Sequence, residues 1–473
     1  MAGWHAGAQT PAAFERFIKK PALRGASVSL MVKEIGEGRV VYSYEPDRQL
    51  TPASVMKTVT TATALEILGE NFRFETSIMY DGTIREGILY GNLYICGSGD
   101  PTLNSSFIET PRDSIIALWA NAVERAGIRR INGRIIADER IFDTEGVSMK
   151  WMREDLGSDY GQGSYGLNIF DNHFKLFLEA DTNLTQPIVM YSEPSLPQLK
   201  IYNNLVFRRS KKDSCLITGF PYQNERYLYG VVAFRNHSFR IAGDIPEPAL
   251  FTAYYVHHYL QNKKGVMILD EPTSYRILSE SEYQDTTVRK TLITTYSMPL
   301  KEIVRITNFV SHNLYADVLI KTLGLRCVAA DDEALSSFDK GARVVKDYWN
   351  AKGLDTEPLW MFDGSGLAIT DKVTTRFLCD LYTYMATRSS VAEAFFQSLP
   401  RAGKEGTVRS LFRGSALENR AKMKSGSMSR VQCYGGYVTK DEKQYAFALI
   451  INSFTGKNNY IRAAIEELFL ALF

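Results

Sequence analysis

Three short stretches carry residue types that could do chemistry together. The first is Ser54-Val55-Met56-Lys57, at the start of an apolar run that Pro52 opens. Residues three apart share a helix face, so a helix here brings the Ser54 hydroxyl and the Lys57 amine within hydrogen-bonding reach. A serine hydroxyl is a weak nucleophile and needs a base beside it. A lysine serves when burial or neighbouring cations lower its pKa enough to free the amine. Val, Met and Ala neighbours supply dry surroundings, and a helix N-terminus turns its positive dipole end toward a developing oxyanion. Alone the pattern is weak, because a helix-start serine and a solvated lysine look the same. The second stretch is Ser311-His312-Asn313 and the third Lys424-Ser425-Gly426, the latter at the start of a strand-like run. Together they add a hydroxyl, a carboxamide, an ammonium and a glycine in chain order.

The elements that must position these groups can be read from periodicity. Helical patterns cover 11–23, 51–69, 303–324, 374–388 and 459–473. In the second, Val55, Met56, Val59, Ala62, Leu65 and Leu68 make the apolar side and Gly69 ends it. Strand-like runs at 27–35 and 39–45 join through Gly36-Glu37-Gly38 as a hairpin, and three more follow at 420–428, 431–439 and 445–454. An early hairpin and three late strands, bracketed by terminal helices, can pair into one antiparallel sheet. From about residue 76 to 285 the chain changes to short β-like runs between Gly, Asn, Asp and Pro turns. A chain of 473 residues exceeds one hydrophobic core. The expected fold is α+β, with a discontinuous domain over 1–76 and 286–473. The inserted region, 77–285, is expected to form two small, mainly β domains.

SxxK, SxN and K-[ST]-G in this order mark class A β-lactamases and penicillin-binding proteins. More specifically, the chain resembles the D-alanyl-D-alanine carboxypeptidase/endopeptidase family of class C, low-molecular-mass penicillin-binding proteins. The resemblance rests on GSGDPTL at 97–103, SHNLYAD at 311–317, DGSGL at 363–367, LPRAGKEGT at 399–407 and KSGSM followed by YGGYV. The long insertion between the first two motifs is typical of that family. The resemblance implies a serine β-lactamase/transpeptidase-like domain, a five-stranded antiparallel sheet flanked by helices. It implies a serine D-Ala-D-Ala carboxypeptidase, and a D,D-endopeptidase, acting on peptidoglycan stem peptides outside the cytoplasm or in the periplasm. No cofactor or metal is implied, and β-lactams are the expected covalent inhibitors.

Residue by residue, the family likeness implies that Ser54 attacks the carbonyl of a D-Ala-D-Xaa bond while Lys57 takes its proton. Ser311 would relay a proton to the leaving amine, and Asn313 would bond the substrate amide. Lys424 and Ser425 would hold the terminal carboxylate. Beside Gly426, the N–H groups of Ser54 and Ser427 would form the oxyanion hole. The stretch from Trp151 to Tyr160 resembles the segment that receives the diaminopimelate end of the stem. There Asp155 would meet an ammonium and Tyr160 would wall the pocket; a plain surface loop is the alternative. Many relatives follow DGSGL with Ser-Arg, whereas Ala368-Ile369 stand here, so side-chain specificity is expected to differ. No ExxLN-type segment supplies a glutamate for a deacylating water, so efficient β-lactamase activity is not expected. The rivals are a β-lactamase or esterase on the same scaffold and a catalytically silent wall-binding protein, which a broken motif would betray.

Composition narrows the rest. Lys plus Arg is 55 against 53 Asp plus Glu, a balance that does not advertise nucleic-acid binding. No run of about 18 apolar residues reads as a membrane span. MAGWHAGAQTPAAF shows no leader pattern, so an extracytoplasmic place is inferred from the substrate alone, with any signal peptide taken as already removed. Cys96, Cys215, Cys327, Cys379 and Cys433 lack CxxC spacing and read as small buried side chains. Gly161–Gly166 matches GxGxxG without a preceding strand. His257-His258 cannot share a helix face, and the DGSG turn at 363–366 reads as architectural. The Arg208–Lys212 run reads as a solvated turn. Oligomeric state leaves no signal.

Overall fold

The computed structural model describes residues 12–180, 185–208, 212–233, 238–278, 288–327 and 335–473. Arg209 to Lys211 of the basic run and the Cys327 side chain lie outside what is described. The chain divides into two compact units, Met1–Phe72 with Pro299–Phe473, and Arg73–Met298.

In the first unit the strands are β1 (Ser27–Glu34), β2 (Val40–Tyr44), β3 (Ala421–Met428), β4 (Val431–Lys440) and β5 (Lys443–Asn452). They pair in the order β3-β4-β5-β1-β2, with every neighbour antiparallel. The helices are α1 (Ala12–Ile18), α2 (Met56–Leu68), α3 (Leu300–Val310), α4 (Asn313–Cys327), α5 (Ser337–Ala351), α6 (Thr375–Thr387), α7 (Ala392–Ser398) and α8 (Asn458–Leu472). Alternation along β1 explains the layering. Val28, Leu30 and Val32 join a core with Phe14 and Phe17 of α1 and Ile461, Ile465, Leu468 and Phe469 of α8. Ser29 points the other way, onto α6, where its hydroxyl meets that of Thr375 at 2.6 Å. Strand β3 is an edge of the sheet. Among the described residues, a backbone segment joins it only near its start, through Ala402 N–H to Ala421 O at 2.9 Å and Met423 N–H to Pro400 O at 3.1 Å.

Two helices differ from the sequence reading. The expected helix at 303–324 is broken into α3 and α4, because Ser311 adopts a left-handed φ of 63° and caps α3 by donating to Thr307 O. The start of the 51–69 helix is a 3₁₀ turn, Ala53–Val55, since Ala53 at φ 46° cannot begin a regular α-helix. Gly69 ends α2 with φ 81°, as a glycine suits.

The second unit contains four sheets, of five, four, three and three strands among the described residues. Its strand Lys290–Tyr296 pairs antiparallel with Glu75–Tyr80, so the chain returns to the first unit only at Pro299. Helices Ser114–Arg125 and Pro248–Lys264, which strand-like patterning did not reveal, pack onto the sheets. Trp119, Val256 and Leu260 from these helices share a core with Ile95, Ile135, Phe174 and Leu228. Cys379 and Cys433 are buried and unbridged, and Cys96 and Cys215 are half-buried and also unbridged.

Candidate active site

The Ser54 turn is held in an unfavourable backbone state. A left-handed non-glycine residue such as Ala53 costs on the order of 1–3 kcal/mol and persists only where its surroundings enforce it. Here the enforcement comes from Gly366: a Cβ at that position would stand 2.0 Å from the Ala53 carbonyl oxygen. From the other side comes β3. A Cβ on Gly426 would lie 2.6 Å from Pro52 O and 3.0 Å from both Ser54 N and Val55 N. The glycine of the third motif is therefore there to let the edge strand pass against the serine turn.

Lys57, the second residue of α2, is fully buried. Its Nζ donates to Ser54 Oγ at 3.0 Å, to Asn313 Oδ1 at 2.6 Å and to the Ser365 carbonyl at 2.7 Å. All three ammonium donors are thus aimed at an acceptor. Burial pulls the Lys57 pKa down to about 8, against the opposing attraction of Asp317, Asp363 and Asp371. Asn313 opens α4 and Ser311 closes α3, so the two polar side chains of the second motif flank a helix–helix corner. His312 between them packs on Tyr315, with ring centroids 4.4 Å apart.

Lys424 forms a second lysine–hydroxyl pair. Fully buried on β3, it donates to Ser311 Oγ at 2.9 Å and to the Ser425 carbonyl at 2.7 Å. Burial, reinforced by Lys57, pushes its pKa well below the ordinary lysine value. The Ser425 hydroxyl donates to Thr407 Oγ1 at 2.7 Å. Ser427 is exposed further along the same strand.

Two contributors escaped the sequence reading. The DGSG turn is architectural, but it also reaches the site through the Ser365 carbonyl on Lys57. Asp363 fixes that carbonyl by accepting from the N–H groups of Ser365 at 3.0 Å, Gly366 at 2.6 Å and Ala368 at 2.8 Å. Asp317 accepts from Gly364 N–H at 2.9 Å, and burial raises its pKa well above the carboxylate range. A backbone carbonyl has no residue type, so no sequence signal announces it. Thr407 was visible only as the end of LPRAGKEGT, without a role.

Asp155 and Tyr160 stand together in the second unit, while the other site residues belong to the first. They are hydrogen-bonded to each other. Asp155 is 8% exposed and its pKa is raised by burial; Tyr160 is half exposed and pushed up to about 12, by burial and then by Asp155.

A hydroxyl beside a buried amine, a second hydroxyl–lysine pair and an adjoining strand edge make an arrangement suited to nucleophilic acyl transfer. The chain is also similar to known proteins in sequence and in fold. The model of the D-Ala-D-Ala carboxypeptidase 3 (S13) family matches residues 11–470. A D-alanyl-D-alanine carboxypeptidase of an Actinomadura species is 27% identical over 455 residues, 93% of this chain and 80% of that one. The crystal structure of penicillin binding protein 4 from Haemophilus influenzae superposes with a TM-score of 0.82 at 21% identity, covering 98% of each chain. The same protein in complex with a β-lactam gives a TM-score of 0.76 at 20% identity, again over 98% of each chain.

Proposed function

The chain belongs to the D-Ala-D-Ala carboxypeptidase 3 (S13) family, and from that premise we propose that it hydrolyses peptidoglycan stem peptides through an acyl-enzyme on Ser54. The observation that carries this reading is the Lys57–Ser54 contact at 3.0 Å with the amine's pKa drawn down to about 8. In its neutral form Lys57 Nζ takes the Ser54 proton as Oγ bonds to the carbonyl carbon of the penultimate D-Ala. The carbonyl oxygen becomes an oxyanion facing the N–H groups of Ser54 and Ser427. The C–N bond then breaks, and Ser311, held by Lys424, passes its proton to the departing amine. Ser311 is reprotonated by the proton that Lys57 took from Ser54, which returns Lys57 to the free amine. Water cleaves the ester and restores the Ser54 hydroxyl. Asn313, already on Lys57, would also hold the substrate amide. Within the inserted unit, the Asp155–Tyr160 pair is proposed to bind an ammonium group.

The same mechanism on a cross-linked stem makes the enzyme a D,D-endopeptidase as well. Its substrate lies outside the cytoplasm, which places the enzyme there. No helix among the described residues is long and apolar enough to cross a membrane. A β-lactam presents a strained amide to Ser54 and should remain attached as an ester. Incubation with a penicillin followed by intact-mass analysis tests this, with D-alanine release from a D-Ala-D-Ala peptide as a parallel assay. One lasting adduct on the native chain, absent from Ser54→Ala, is expected. Steady drug turnover without an adduct would instead support a β-lactamase.

A further inference from the structure

Thr407 sits on the turn Gly406–Val408, whose place is set from two sides. Gly406 has φ 50°, and a Cβ there would stand 2.5 Å from the carbonyl oxygen of Phe309, two residues before Ser311. The turn therefore rests on the end of α3. Gly403 N–H donates to Val408 O at 3.0 Å, and the 400–402 segment is tied to β3, so the loop bridges the second and third motifs.

At that bridge the exposed Thr407 accepts the Ser425 hydroxyl proton at 2.7 Å. A serine hydroxyl has a single hydrogen, and this contact uses it. Ser425 is then no longer a donor for an incoming anion, whereas Thr407 keeps its own hydrogen. Lys424 lies deeper, with two of its three N–H groups already committed to Ser311 and the Ser425 carbonyl. The outermost donor in this series is Thr407 O–H.

We infer that Thr407 is a substrate-binding residue whose hydroxyl donates to the terminal carboxylate of the D-Ala-D-Ala peptide, with Ser425 orienting it from behind. The inference rests on the proposed peptidase activity and assigns the carboxylate end of that site. A hydrogen bond to a carboxylate is stronger than one to a neutral carbonyl, so Thr407 should select for a free C-terminus.

The test compares a stem peptide ending in D-Ala-D-Ala with its C-terminal carboxamide, using Thr407→Val and Thr407→Ser, each first checked for an unchanged melting temperature. Thr407→Val should lower kcat/KM on the carboxylate peptide about tenfold or more, mainly through KM, and lower the carboxamide reaction by a clearly smaller factor, because a neutral carbonyl oxygen accepts the weaker bond. Thr407→Ser keeps the hydroxyl and should stay near the native value. A Thr407→Val enzyme with native KM on the carboxylate peptide overturns the assignment, as does an equal loss on both peptides. If the native enzyme fails to cleave the carboxylate peptide at all, the peptidase reading itself falls and this assignment falls with it.

Discussion

At the scale of single residues, the decisive group is Lys57. An ordinary lysine is almost wholly protonated at neutral pH and cannot act as a base. Burial in α2 moves the Lys57 pKa to about 8, so near pH 7 a minor but usable fraction is the free amine. In the proposed mechanism the free amine is the reactive form, so acylation of Ser54 should rise about tenfold per pH unit below that value and level off above it. Stopped-flow acylation by a chromogenic β-lactam between pH 6 and 9.5 would read this directly. A profile with no inflection near 8 would remove Lys57 from the role of base. Lys57→Met should slow the same reaction by roughly 10²–10⁴-fold, while leaving the nucleophile in place.

At the scale of elements, the site depends on backbones passing unusually close to one another. Strand β3 meets the Ser54 turn at Gly426, where even a methyl group would collide with Pro52 O. Gly426→Ala must therefore push the strand edge away from Ser54 and widen the proposed oxyanion hole. Loss of one oxyanion donor commonly costs about 10²–10³ in rate, and a drop of that order in acylation is expected for Gly426→Ala. Circular dichroism should show the sheet retained, since β3 and β4 stay paired over eight residue positions. Native-like acylation by this variant would show that the strand edge is not part of the oxyanion site. The α3–α4 corner matters in the same way. Only the left-handed Ser311 turn sets its hydroxyl on Lys424 while Asn313 reaches Lys57.

At the scale of the whole molecule, two units with separate cores share one chain. The inserted unit contains a fully buried ion pair, Arg226 Nε to Asp244 Oδ1 at 2.7 Å, and burial raises the Asp244 pKa. The Arg226 Nη1 group also donates to the carbonyls of Gln223 at 2.8 Å and Glu225 at 2.9 Å. Removing one member of a buried pair strands the other charge and costs about 3–5 kcal/mol. Arg226→Met should therefore destabilise the inserted unit by that amount, measured by urea unfolding. Penicillin acylation, which reads the first unit, should survive at urea concentrations where the inserted unit of the variant has already lost its structure. Simultaneous loss of both signals would mean that the two units unfold as one.

The sequence by itself determined the family likeness and the broad architecture, and it named the residues for which the chemistry is proposed. Ser54, Lys57, Ser311, Asn313 and Lys424 could be singled out as candidates because side-chain chemistry is a matter of identity, and identities are written in the chain. The terminal hairpin and closing strands were legible because alternation along a strand follows from which face is buried. The tertiary structure alone decided what depends on contacts between distant segments. Lys57 acquires its lowered pKa through burial, and its position through partners as remote as Asn313 and Ser365. The DGSG turn contributes a carbonyl, which every residue possesses and no motif can mark. The break at Ser311 was hidden because the apolar periodicity continues across it, and one left-handed residue overrides that pattern. Thr407 gained a role only when the fold laid its turn beside Ser425.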